Sequence, residues 1–433
     1  MSFLHNTIFA LFGNIATGVI SLLVAVFVAR TLGPDGKGAV TLLILVPTFA
    51  AMSLDLGISI ANVYFAKYRE VPRDILFSSS LFWAVSVGLV AIFSVICGLH
   101  MWPSLADGIT PNAAVVASFT TPLFLLLYVM RPLLLASDHV IDFSVSNALQ
   151  PLLLMIAALL IFAVSGASVL NMLWAYVASL LILCIHVGWR LRPRQFCLRL
   201  DVIRQAIKFG IIGHIGTLIQ QCIFRLDVLI LASLTGSREV GIYSIAYVCA
   251  EVLLRLPRAI GTILFPTVSG LEGNAAETLT AAVFKGMNVI LVVAGGCLGA
   301  IGYCFIPDVF GVNFSDARLP FLLLIPGVFF FSWNNVFIES LKGEGKVQYK
   351  LYTAVVGLVV LICLDFLLIP RYGIAGAALA SSIAYGSSGI FALVIYCRLR
   401  KRRLIDLVCP DRSDFVFFTN AARRLVFGLR GGH

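Results

Sequence analysis

Charge is what this 433-residue chain lacks most: 12% of its residues are Asp, Glu, Lys or Arg, against ~25% in a soluble domain. With 60% apolar residues it cannot clothe a water-facing surface in polar groups, which excludes a soluble globular enzyme. Catalytic signatures are missing too. No G-x-x-x-x-G-K-[ST] occurs, and Gly343-Glu344-Gly345-Lys346 lacks the leading glycine spacing and the hydroxyl, which argues against ATP hydrolysis by the chain itself. G-x-S-x-G, H-E-x-x-H and S-x-x-K are absent as well. The ten cysteines stand singly, with no CxxC and no Cys/His cluster, so neither a zinc site nor a redox dithiol is supported. The net charge of +10 does not point to nucleic acid, because the basic residues fall between apolar runs rather than on a folded face.

What the chain has is length of apolar run. A bilayer core needs about 20 apolar residues in a helix, and twelve runs meet that need. Six lie near Thr7–Ala29, Ala39–Tyr64, Leu76–Leu99, Ala113–Leu135, Ser144–Val164 and Val169–Trp189. Six more lie near Phe209–Leu234, Val240–Leu264, Lys285–Ile306, Leu319–Leu341, Leu351–Ile369 and Ile374–Cys397. The first run lacks a basic n-region and an A-x-A site and reads as a retained helix. The fold class expected is an all-α polytopic membrane protein of about twelve transmembrane helices. Twenty-two of the 31 Lys and Arg residues fall in the even-numbered loops and the tail, against five in the odd loops, which places both termini in the cytoplasm.

The longest connection divides the chain: residues 1–189 form a first six-helix lobe, 190–208 a basic cytoplasmic linker, 209–397 a second six-helix lobe and 398–433 a basic cytoplasmic tail. The linker and tail suit anionic headgroups. An internal repeat supports the division. Leu32–Val40 (LGPDGKGAV) and Thr235–Tyr243 (TGSREVGIY) align at an offset of 203, with Gly33 over Gly236 and Gly38 over Gly241. Ser165–Ser168 (SGAS) and Tyr372–Ala375 (YGIA) each lead into the sixth span of a half. An even number of spans per half gives both repeats one orientation, related by an axis along the membrane normal. Gly33-Pro34-Asp35-Gly36 reads as a tight turn.

VARTLGPDGKGAVTLLI (Val28–Ile44) followed by DLGIS (Asp55–Ser59) resembles the start of Wzx-type oligosaccharide-lipid flippases, members of the multidrug/oligosaccharidyl-lipid/polysaccharide exporter superfamily. Phe224–Leu271 resembles that family's seventh and eighth spans, and IPRYGIAGAALASSIAYG (Ile369–Gly386) its last. The resemblance implies two six-helix lobes, as in the multidrug (MATE) exporters, around a cavity that opens alternately to either side of the inner membrane. It implies as substrate a polyprenyl-diphosphate-linked oligosaccharide for O-antigen, capsule or exopolysaccharide synthesis. Membrane lipid and a polysaccharide polymerase or export machinery are the implied partners. A coupling ion, H+ or Na+, is an open expectation, and no resident cofactor is expected. Two alternatives stay open: a cation-coupled multidrug antiporter of the same superfamily, and a membrane glycan polymerase or acyltransferase.

An ionised group in mid-membrane costs at least ~2.5–3.5 kcal/mol and usually faces a wet cavity or a partner. Five such groups crowd the seventh and eighth spans: Arg225, Asp227, Glu251, Arg255 and Arg258. Glu251, Arg255 and Arg258 follow i, i+4, i+7 and are expected on one face. Arg225 and Asp227 lie about 200° apart around a helix, so one faces the path and the other a neighbouring helix; Arg225 is assigned to the path. In the first lobe Asp55 and Arg131 are further candidates, while Arg30 reads as an interfacial anchor and His214 as a packing residue. Arginine suits diphosphate oxygens because its planar fork donates parallel hydrogen bonds. The competing expectation is that these charges form structural ion pairs between helices.

Overall fold

The computed structural model describes residues 3–101, 110–136, 140–271 and 274–401. Among them every regular element is a helix. In chain order these are α1 (Phe3–Leu54), α2 (Ile58–Tyr68), α3 (Arg73–Met101), α4 (Pro111–Ser118), α5 (Thr120–Ala136), α6 (Val140–Ser165), α7 (Val169–Leu191) and α8 (Leu200–Thr235). There follow α9 (Ser237–Ser269), α10 (Asn274–Phe310), α11 (Arg318–Gly343) and α12 (Gln348–Arg400), with a 3₁₀ turn at Val312–Ala317.

Ten of the described helical stretches are long and apolar enough to cross a bilayer. Two of them are double. α1 runs 52 residues and breaks at Gly33 (φ 67°, ψ −175°), and α12 runs 53 residues and breaks at Gly373 (φ 55°, ψ −131°). At 1.5 Å per residue each would otherwise exceed twice the ~30 Å apolar layer. Counting each half brings the spans to the twelve expected. The turn expected at Gly33–Gly36 is a single-residue break, because Pro34 starts the next helix directly, where its missing N–H leaves no partner unmet.

Large apolar side chains lie open on the outer flanks, such as Phe93, Val164 and Ile212 at 71, 88 and 78% exposure, and these faces meet acyl chains. The interior is built from separate apolar clusters. One joins α3 and α5 to α7, and another joins α8 and α9 to α11 and α12. α1 packs on α9 and α2 on α8, so both pairs bridge the two halves of the chain.

The stretch between α7 and α8 is strapped to α3. The backbone N–H of Arg194 donates to Asp74 (3.2 Å), that of Cys197 to Ser78 (3.1 Å) and that of Arg199 to Ser79 (3.4 Å). Val202, Ile203 and Ala206 then bury themselves in the first-half core. At the far end of the chain Arg400 pairs with Glu277 (3.2 Å) and with Glu344, fastening the ends of α10, α11 and α12. The basic tail expected over 398–433 lies outside the described residues from position 402 onward.

The repeat read in the sequence has a counterpart in space. Gly33 and Gly236 both take positive φ, and so do Gly166 and Gly373. The first pair of hairpins also meets. A Cβ on Gly38 would stand 1.7 Å from the Ser237 carbonyl oxygen, and one on Gly241 would stand 2.0 Å from that of Pro34. Pro34 and Ser237 are themselves related by the offset of 203, so the contact is reciprocal, as across the two-fold axis of a dimer. Asp35 and Arg238, the next related positions, form an ion pair at 3.4 Å. Arg30, expected as an interfacial anchor, instead donates to the carbonyls of Asp308 and Val309 (2.8 Å to the latter) at the end of α10. The two halves of the chain are thereby joined at this end of the molecule.

Candidate functional site

Below the Gly38–Gly241 contact, α1, α5, α8 and α9 enclose a cavity of about 530 Å³. α8 supplies Gln220, Gln221 and Arg225, and α9 supplies Tyr247, Glu251 and Arg258. α8 carries these groups because positions 217, 220, 221, 224 and 225 repeat at helical spacing and share one face. Glu251 lies between two arginines. Its carboxylate stands 3.7 Å from Arg225 and 3.4 Å from Arg258. The Arg225 guanidinium lies 4.4 Å over the Tyr247 ring and that of Arg258 lies 5.1 Å over Phe224. Ring faces and one shared carboxylate thus hold two cations with their forks open to the cavity. Two arginines against one carboxylate leave a net positive lining. Lys37 on α1 adds to the field acting on Arg225; in the sequence it reads only as a loop cation.

A second chamber of about 490 Å³ adjoins the first and shares Thr48 and Tyr128 with it. Arg131 lies in its wall, donating to Gln150 Oε1 (2.9 Å), Asn147 Oδ1 (3.3 Å) and the Ser146 carbonyl (3.4 Å).

Three candidates stand apart from the cavity. Arg255 turns toward α1, where its guanidinium donates to the Asn14 carbonyl (3.3 Å) and fills the space Gly18 leaves open. The reason is angular. Seven residues along a helix return to within about 20° of the start, whereas four overshoot by about 40°. Arg258 therefore follows Glu251 into the cavity while Arg255 falls on the flank, beside an apolar groove between α1 and α9.

Asp55 caps α2. Its carboxylate accepts from Ser59 N (3.0 Å) and Ser59 Oγ (2.6 Å), and His214 Nδ1 stands 3.4 Å away. Beside it the backbones of Gly57 and Gly210 touch, a Cβ on Gly210 lying 2.0 Å from the Gly57 oxygen. The chain takes left-handed φ at Leu56 and Gly57, and the Asp55 side chain supplies an acceptor to the helix that restarts there.

Asp227 is fully buried on the side of α8 away from the cavity. It accepts from Tyr243 Oη (2.5 Å), Ser381 Oγ (2.8 Å) and the Val228 N–H (2.8 Å). Asp365 on α12, which the sequence reading passed over, is equally buried, and neither of its oxygens has a hydrogen-bond partner among the described residues. The two carboxylates act on one another electrostatically, and the Tyr385 hydroxyl nearby is also without a partner. Carboxylate and hydroxyl oxygens of this kind make a donor set for a proton or a small hard cation. No group of three or more His, Cys, Asp or Glu suited to a metal occurs among the described residues.

The chain is similar to several known proteins. The family model described as "Polysaccharide biosynthesis protein" matches residues 3–272. A protein of Shigella flexneri named "Putative O-antigen transporter" is 23% identical, over 92% of this chain and 99% of its own length. Among solved structures, the lipid II flippase MurJ in an inward closed conformation superposes with a TM-score of 0.78 at 12% identity, covering 98% of this chain and 93% of the other. A multidrug resistance MATE family transporter of the MOP superfamily, inward-facing, gives 0.72 at 14% identity, covering 91% and 98%. The chain belongs to the polysaccharide biosynthesis protein family, and its fold is the helical fold of the MurJ and MATE structures.

Proposed function

We propose that the chain is a flippase that carries a polyprenyl-diphosphate-linked oligosaccharide from the cytoplasmic to the outer leaflet of the inner membrane, for synthesis of a surface polysaccharide. The observation that carries this reading is the pair Arg225 and Arg258 held on Glu251 in a cavity bounded by both halves of the chain. A diphosphate displaces Glu251 from the two guanidinium forks and is bound by charge-assisted hydrogen bonds. The apolar chain lies in the groove between α1 and α9, lined by Ile15, Val19, Leu22 and Val252, so that only the headgroup leaves the lipid. The family match and the S. flexneri relative support a polysaccharide-related transporter.

With the basic loops inside, the Gly38–Gly241 contact lies at the outer end, and loading takes place from the cytoplasm. Alternation then requires the Asp35–Arg238 pair and the Arg30 hydrogen bonds to open together. For coupling, the buried set of Asp227, Asp365, Tyr243 and Ser381 would hold H+ or Na+. Binding there neutralises buried charge in the wall behind Arg225, which links ion occupancy to the cavity's potential. A polymerase consuming the product on the outer leaflet would add a pull in the same direction.

Depletion of the protein tests the function. Polyprenyl-diphosphate oligosaccharide should accumulate and stay inaccessible to a membrane-impermeant glycosidase supplied from outside. Normal glycan export with raised sensitivity to cationic dyes would replace this reading with drug export.

A further inference from the structure

The Arg131 chamber has a chemistry of its own. Every group that Arg131 bonds is neutral: two side-chain amide oxygens and a backbone carbonyl. The groups that act on it electrostatically are Cys184 and Tyr128, with no carboxylate among them. Asp55, behind Ser59 in the same wall, is already engaged by Ser59 and His214. Arg225 and Arg258 share a counter-charge; Arg131 has none among the described residues. A mostly buried guanidinium without a counter-ion is costly, and an arriving anion relieves that cost. Of its five N–H donors, Nε is buried without a partner and three of the four Nη hydrogens serve Ser146, Asn147 and Gln150, which leaves one on Nη1 for a ligand.

The rest of the lining suits a sugar ring. Asn147, Gln150 and Thr48 offer amide and hydroxyl groups, and Phe124, Tyr128 and Phe143 offer ring faces. Amides and hydroxyls match the polar rim of a pyranose, and aromatic faces match its C–H faces. Because the two chambers share Thr48 and Tyr128, one substrate reaches both, its diphosphate at Arg225 and Arg258 and its glycan at Arg131.

We infer that the Arg131 chamber seats an acidic sugar of the transported oligosaccharide, with its carboxylate facing the Arg131 guanidinium. The inference rests on the flippase reading above and names the substrate class within it. A single charge-assisted contact of this kind corresponds to roughly tenfold to a hundredfold in selectivity.

The test uses the full chain in proteoliposomes and two polyprenyl-diphosphate tetrasaccharides that differ only in one residue, a hexuronic acid or the matching neutral hexose. Flipping is read as exposure to a membrane-impermeant glycosidase. The wild type should flip the acidic probe at least tenfold faster at limiting concentration. R131Q should abolish the preference, bringing the ratio of acidic to neutral flipping rates to about one. R131K, which keeps the charge and the packing, should retain part of the preference, and comparable protein levels in the vesicles show that both variants fold. R225Q should slow both probes alike. Equal rates for the two probes with wild type, or equal slowing of both by R131Q, would overturn the inference while leaving the flippase reading in place. Failure of the wild type to flip either probe would remove the flippase reading itself.

Discussion

At the scale of residues, the cavity is marked by one carboxylate shared between two arginines. Glu251 holds Arg225 at 3.7 Å and Arg258 at 3.4 Å, contacts long enough for a diphosphate to replace. R225A should therefore reduce flipping by at least about 100-fold, the ~3 kcal/mol of a charge-assisted contact, while membrane abundance stays near wild type. R225K should rescue only in part, since an ammonium lacks the planar fork. Loss of protein in step with activity would mark a structural ion pair instead. E251Q has the opposite sign for binding. It frees both guanidinium groups, so the concentration needed for half-maximal flipping should fall and the maximal rate should fall with it, as product leaves more slowly. Much of this set was legible in the sequence, because charge is rare in apolar runs. The division of labour was not. Arg255 shares the helix and the sign of Arg258, yet a few tens of degrees of rotation send it to α1. Asp365 stands alone in Leu351–Ile369, and its pairing with Asp227 arises only where α8, α9 and α12 converge. A D365N variant should keep the fold and lose any dependence of flipping on a Na+ or H+ gradient, measured in proteoliposomes with each gradient imposed in turn.

At the scale of elements, glycine decides where the long helices end and how closely they approach. The repeat-related residues Gly33 and Gly236 share a left-handed φ, and five residues on, Gly38 and Gly241 let two backbones touch. An alanine at 38 would put its Cβ 1.7 Å from a carbonyl oxygen, far inside any contact distance, so α1 and α9 must separate. G38A and G241A should each lower flipping severely and reduce cross-linking between cysteines placed at 35 and 238 by a short bismaleimide, with G38A/G241A no worse than either alone, since one contact is lost in all three. The twelve spans were visible as hydropathy, because a bilayer demands about 20 apolar residues from each helix. The way the first two join was not visible: Gly33-Pro34-Asp35-Gly36 carries every mark of a four-residue turn, yet Pro34 resumes the helix at once. The hinge at Asp55-Leu56-Gly57 was also hidden inside an apolar run, since one capping carboxylate and one glycine suffice to make it.

At the scale of the whole molecule, the proposed alternating cycle needs a joined end strong enough to close and weak enough to open. An exposed ion pair is worth about 0–1 kcal/mol, and Asp35–Arg238 is of that kind, with both side chains more than half exposed (68 and 54%). Two hydrogen bonds from Arg30 to the end of α10 act in parallel with it, favoured by the partial negative charge of a helix C-terminus. No single fastener dominates, so an arriving ligand can shift the balance with a few kcal/mol of differential binding. The pair also sits at related positions of the two halves, where a symmetric dimer would oppose identical residues, and opposite signs turn that encounter from repulsion into attraction. Reversing either charge alone should disfavour closure. D35R and R238D should each change the flipping rate about two- to fivefold, the equivalent of 0.5–1 kcal/mol, and each should raise the labelling of a cysteine placed at Gln221 by an impermeant thiol reagent added outside. The double reversal D35R/R238D restores the attraction with its direction exchanged, and both rate and labelling should return toward wild type. A double variant as impaired as the singles would mean that the two residues act separately, leaving closure to the glycine contact and Arg30; recovery would show that the two halves are latched through the residues their repeat brings face to face.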